Sequence, residues 1–73
     1  MIMQWYVDSR LGRDANDGRS PKTAFKSIQQ AMQAAKAGDT VLIVPGPYEQ
    51  DMPKQVAALR AANVTVSVAG ADH

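Results

Sequence analysis

The run Ala37-Gly38-Asp39-Thr40-Val41-Leu42-Ile43-Val44-Pro45-Gly46-Pro47-Tyr48 limits the fold more than any other stretch, because its centre favours one conformation and both its ends are fixed. Thr40 to Val44 is β-branched at every position but Leu42 and apolar on both alternating faces. That is the pattern of a strand buried on two sides. Gly38 accepts the positive φ that ends a helix. Pro45-Gly46-Pro47 halts any ladder, since two of its three residues lack an N–H. The strand is therefore expected at the centre of a sheet, with a helix delivered to it and a turn leading away. The stretch holds no nucleophile, metal-ligand cluster or phosphate loop, Gly38-Asp39 lacking the further glycines and the lysine that a phosphate loop needs.

A chain of 73 residues has room for one small domain, and at this length folding buries only about 60% of the surface that the unfolded chain exposes. Much of the 45% hydrophobic fraction is alanine and the aromatic share is 5%. The core is therefore small, and a partner or further copies of the chain would complete it. Eight Lys and Arg against seven Asp and Glu leave a net charge of +1, too little for an overall field that attracts nucleic acid, membrane or an acidic ligand. Cysteine is absent from the sequence, which excludes disulfide and thiolate chemistry. No stretch approaches the roughly 18 apolar residues of a membrane helix, and the first residues have neither a basic n-region nor a long apolar run. With Met1 as the native start the chain is expected in the cytoplasm or a virion; as a fragment of a secreted protein it is expected outside the cell.

Taken in order, residues 3–8 read as a strand with Trp5 and Val7 on one face and Gln4, Tyr6 and Asp8 on the other. Residues 9–21 form a polar loop of Asn, Asp and Gly, long enough to be functional or tied to a partner. Phe25, Ile28, Met32 and Ala35 recur at helical spacing and predict a helix over 24–37, capped by Ser20 with Pro21 at the first helical position, or by Thr23. Its Phe25, Ile28 and Met32 face is expected on Val41 and Ile43 or on Leu42 and Val44. After the strand at 40–44, Asp51 is a candidate N-cap for a second helix over 52–62 with Val56, Leu59 and Ala62 in its apolar stripe. Val64-Thr65-Val66-Ser67-Val68 alternates strictly and predicts a strand at 64–68, valines inward and hydroxyls outward. The fold class is α/β: a single β-α-β-α-β unit with a short, mainly parallel sheet.

Four of these segments together resemble a known pattern: Tyr6-Val7-Asp8, the loop from Gly12 to Pro21, Phe25-Lys26-Ser27-Ile28-Gln29-Gln30-Ala31, and the run from Ala37 to Tyr48. In order and spacing they resemble the N-terminal capping segment of right-handed parallel β-helix proteins of the pectate-lyase-like group, which includes secreted polysaccharide lyases and phage tailspikes. The resemblance covers Tyr6 to Tyr48. It implies that an amphipathic helix plugs the open end of a β-helix and that the Gly-Pro turn passes the chain into the first coil. Catalytic and carbohydrate-binding residues of that group lie on later coils, so the resemblance carries none onto this chain. A β-helix needs about three stacked coils to close its core, and Met52 to Ala62 reads as helix where another coil is expected. The chain is thus either a fragment or a unit that stands alone, and the second helix, which covers the sheet, favours the latter.

Each chemical candidate has a plainer reading. Asp14-Ala15-Asn16-Asp17-Gly18 is similar to a calcium loop, but its glycine comes one position early and no Glu closes it. An Asx-rich turn accounts for it, so no metal and no cofactor is expected. Arg10, Arg13, Arg19 and Lys22, with Lys26 beyond, surround this loop as candidate contacts for a polyanion, with Asp8, Asp14 and Asp17 interleaved. His73 has no acid or nucleophile beside it, and no catalytic residue is identified. One ring of Trp5 and Tyr6 is expected in the core, and Tyr48 to lid the helix.

Two classes of function follow. The first is a non-catalytic structural or assembly protein acting through protein–protein contacts; the second is a piece of a carbohydrate-active β-helix protein. A third, a nucleic-acid-binding regulator using the basic loop, predicts salt-sensitive binding lost on Arg13→Ala with Arg19→Ala. A three-stranded sheet leaves two open edges, and the 64–68 strand has no proline or outward charge to block pairing. A homo-oligomer is expected, a dimer first, with Val66 or Leu59 at the contact.

Overall fold

The computed structural model describes residues 2–46 and 52–68. Three strands, β1 (Gln4–Asp8), β2 (Thr40–Val44) and β3 (Thr65–Val68), form one sheet in the order β1-β2-β3, and both pairings are parallel. Helix α1 (Ile28–Ala34) connects β1 to β2, and α2 (Met52–Ala61) connects β2 to β3. This is the expected small α/β unit.

Val7, Val41 and Ile43, each 0% exposed, point to one face of the sheet, where Ile28 and Ala31 of α1 and Val56 and Leu59 of α2 close over them. Both helices lie on this face, so the structure has two layers. Helix α1 takes the face that holds Val41 and Ile43 and shares their core cluster, but it rests chiefly on β1 and α2, so the direct packing on β2 that was expected is corrected. The expectation that β2 is buried on both sides is corrected: Thr40, Leu42 and Val44 on the far face are only half-buried, because no described helix covers them. Register stacks Val7 on Ile43 on Val68 and Trp5 on Val41 on Val66 along the inner face. The valines of β3 turn toward the core and Thr65 and Ser67 are exposed, as the alternation requires.

Helix α1 is shorter than the 24–37 expected from periodicity. Phe25 keeps helical spacing to Ile28, yet its backbone is extended and bridges Val7 in parallel, an arrangement worth more than one further helical turn because it also buries the ring. Neither Ser20 nor Thr23 caps α1. Pro21–Thr23 forms a separate 3-10 turn, and Ser27 is the cap, its Oγ accepting from the Gln30 N–H at 3.2 Å. The sequence Ser27-Ile28-Gln29-Gln30 has the spacing of a capping box, which is the local signal for that start. The helix ends at Ala35, where ψ swings to 147°, and Gly38 takes φ +92° in the turn that follows. The N-cap role of Asp51, the lid role of Tyr48 and the terminal His73 lie outside the described residues.

Candidate functional site

Three places hold the chain's chemistry: the loop along β1, the turn at Asp39, and the outer edge of β3. Along β1, the loop turns back and pairs with the strand. Tyr6 N–H donates to Gly18 O at 2.7 Å, Phe25 N–H to Tyr6 O at 2.8 Å, and Asp8 N–H to Phe25 O at 2.8 Å. Gly18 sits at φ +69° against the Phe25 ring, where a Cβ has no space. The expectation of two open edges is therefore corrected, since this one is occupied by the chain's own loop.

The loop is held by its acids. Asp8 Oδ1 accepts from the N–H groups of Arg10 and Leu11, and Asp14 from the N–H groups of Lys26 and Ser27 and from the Ser27 hydroxyl. Asp17 accepts from Arg19 N–H and the Thr23 hydroxyl, and these bonds hold its carboxyl below its ordinary 3.8. Asn16 Nδ2 donates to Ala24 O at 3.0 Å. Arg10, Arg13, Arg19 and Lys22 are all exposed. Arg19 reaches Met3 Sδ before the start of β1, while Arg10 lies beside Gly46 beyond the end of β2, so these two stand at opposite ends of the sheet. Among the described residues no three His, Cys, Asp or Glu side chains converge.

Asp39 is the one buried charged side chain among the described residues, 3% exposed. Its Oδ2 accepts from Trp5 Nε1–H at 2.9 Å and from Lys36 N–H at 2.9 Å, and its Oδ1 from Met3 N–H at 3.1 Å. The Trp5 bond, then those from the Lys36 and Met3 backbones, hold the carboxyl below 3.8. The same turn donates Gly38 N–H to Asn63 O and accepts Thr65 N–H on Asp39 O, so it ties the starts of all three strands together. Sequence reasoning missed this role because two of the three donors to Asp39, Trp5 and Met3, stand 34 and 36 residues away. Trp5 stacks on Phe25 with ring centroids 6.0 Å apart and planes 14° from parallel.

At the third place, Thr65 turns its N–H toward β2, so in a parallel ladder Val66 and Val68 turn theirs outward. Val66 is half-buried on this edge. Leu59, the other residue expected at a contact, is corrected to a core position at 2% exposure, buried against the sheet by α2.

A family model described as "Protein of unknown function (DUF1565)" matches residues 10–67. A curated protein from Akkermansia muciniphila, "Alpha-1,3-galactosidase A", is 35% identical over 63 residues, which is 85% of this chain. The chain spans 11% of that relative's length.

Proposed function

This chain belongs to the DUF1565 family, which is associated with right-handed β-helix proteins, and on that premise we propose that it is a non-catalytic end unit of a parallel β-helix that works by accepting a further strand on β3. The observation that carries this reading is the difference between the edges: β1 is closed by Gly18 and Phe25, whereas β3 presents the backbone of Val66 and Val68 outward. A strand with open N–H and C=O groups and no outward charge is a template for pairing. The order β1-β2-β3 supports it as well. Strands added in sequence, with both crossovers on one face, advance as the turns of a coil do, and the stacked Val7, Ile43 and Val68 leave a row for the next aliphatic side chain.

The galactosidase match supports a carbohydrate-active setting in which this unit caps the fold and the chemistry is done by residues beyond the matched stretch. The same open edge makes the chain by itself a homo-oligomer, a dimer joined at Val66. Sedimentation equilibrium over about a hundredfold concentration range, with amide exchange on β3, tests the reading. Reversible dimerisation with protection of the Val66 and Val68 amides rising with concentration is expected. A monomer throughout, with those amides exchanging at the same rate at every concentration, would overturn it.

A further inference from the structure

Asp17-Gly18 is the single place in the sequence where an acid or its amide precedes glycine. With no Cβ beside it, the glycine nitrogen closes on the side-chain carboxyl carbon of Asp17 more readily than the nitrogen of any bulkier residue would. Closure forms the N–Cγ bond and expels water, giving a five-membered succinimide. Water then opens one of the two ring carbonyls. One opening restores the original chain; the other gives isoaspartate, in which the main chain runs through Cβ and Cγ and the α-carboxylate becomes the side group. The water lost equals the water gained, so no oxidant or other co-reactant enters.

The native loop holds both reacting groups off this path. Gly18 is buried, its N–H donates to Thr23 O at 2.8 Å and its O accepts from Tyr6 N–H at 2.7 Å, so the nitrogen that must turn toward the side chain is fastened on both sides. Asp17 Oδ1 accepts from Arg19 N–H at 3.0 Å and from the Thr23 hydroxyl at 2.8 Å. These donors favour the ionised carboxyl, whereas its oxygen leaves as water only from the protonated form. Asp17 itself is exposed, so solvent meets it as soon as these bonds part.

We propose that Asp17-Gly18 is a covalent modification site on the closed edge of the sheet: it rearranges to isoaspartate at a rate set by opening of the loop, and the rearranged chain releases the Tyr6 N–H. Rearrangement inserts one carbon, about 1.5 Å of main chain, immediately before Gly18. Gly18 then no longer meets Thr23 O and Tyr6 N–H together. The bonds from Phe25 N–H to Tyr6 O and from Asp8 N–H to Phe25 O lie farther along the loop, so the seal is lost at its Gly18 end alone. A freed strand N–H is a donor open to pairing. The inference uses only β1 and its loop, so it and pairing at β3 fail or hold separately.

The experiment incubates the full chain at about pH 5, where a small fraction of an aspartate is protonated, in water labelled with heavy oxygen. Peptide mapping reads the label at Asp17, and a protease that cuts before aspartate but not before isoaspartate separates the two products. Label is expected at Asp17, entering at least about tenfold more slowly than in the same chain unfolded in urea, because the bonded loop must first open. Thr23→Val, which removes the hydroxyl donor, should raise the native rate about threefold or more. In the isolated isoaspartate form the Tyr6 amide should exchange about tenfold faster or more, with little change at Asp8. Absence of label at Asp17 in both states, equal rates with and without urea, a native rate unchanged in Thr23→Val, or a Tyr6 amide equally protected in both forms would overturn the inference.

Discussion

Along β1, Gly18 and Phe25 take up the outward backbone groups of Tyr6 and Asp8; along β3, the outward groups of Val66 and Val68 meet no described strand. Both strands are short, parallel to β2 and backed by the same core, so strand chemistry does not account for the difference. The loop does. The loop over 9–25 spends two aspartates, an asparagine and two close-packed glycines on returning to β1, with Asp8 at the end of the strand holding its first turn, and no comparable segment precedes or follows β3 among the described residues. A protected edge costs sequence, and the described residues invest it on one side only.

The contrast can be broken most sharply at Phe25. Phe25→Ala keeps the backbone bonds that close β1 but removes a ring, 3% exposed, that packs against Gly18 of the sealing loop and supports Trp5. The expected loss is about 3–5 kcal/mol, a large share of the roughly 5–15 kcal/mol of a small domain. The matched truncation on the other edge, Val68→Ala, should cost about 1 kcal/mol, since Val68 is half-buried. Urea titrations giving equal losses would refute the asymmetry. Gly18→Ala comes next, at about 1–3 kcal/mol for a left-handed residue without glycine, and the crowded Phe25 ring adds to it.

The Asp39 turn gives an effect that pH reads. Its folded carboxyl titrates below its ordinary value, so its contribution is fully present above the unfolded pKa of about 3.9 and is lost as pH falls through the lower folded value. Stability is therefore expected to decline from about pH 4 downward. Asp39→Asn should be less stable at pH 7 and show a shallower decline, the remaining slope belonging in part to Asp17. An unchanged acid profile in denaturant titrations from pH 7 to pH 2.5 would reject the role given to Asp39. The smallest effect on stability is at Ser67→Lys, an exposed change within about 0.5 kcal/mol. By placing a charge on the open edge, it should nonetheless weaken dimerisation in sedimentation.

What was legible in the sequence was what repeats locally. The β-branched run at 40–44 and the valine alternation at 64–68 both became strands, and the Ser27-to-Gln30 spacing carried the true start of α1 even though the longer periodic pattern overrode it. Phe25 misled because helical spacing and an extended bridge to Val7 place the same ring in the same core. The candidate sites were harder. Arg10, Arg13, Arg19 and Lys22 were picked out by charge, but sequence position does not say that Arg10 and Arg19 end at opposite ends of the sheet. The tie at Asp39 has no local signal, because Met3, Trp5 and Asp39 meet only when β1 is laid against β2.

The tie between Met3 and Asp39, 36 residues apart, also sets a tempo. No two strands of this sheet form a hairpin. β1 reaches β2, and β2 reaches β3, only after a whole helix-bearing connection has closed. Such closures spend chain entropy before any ladder bond returns it, and folding rates fall as contacts become less local. The molecule should therefore fold in milliseconds or longer, not in the microseconds of a helical bundle of its length. The β3 edge, which meets no described strand, is then exposed for longer on every newly made chain than the small size of the protein implies.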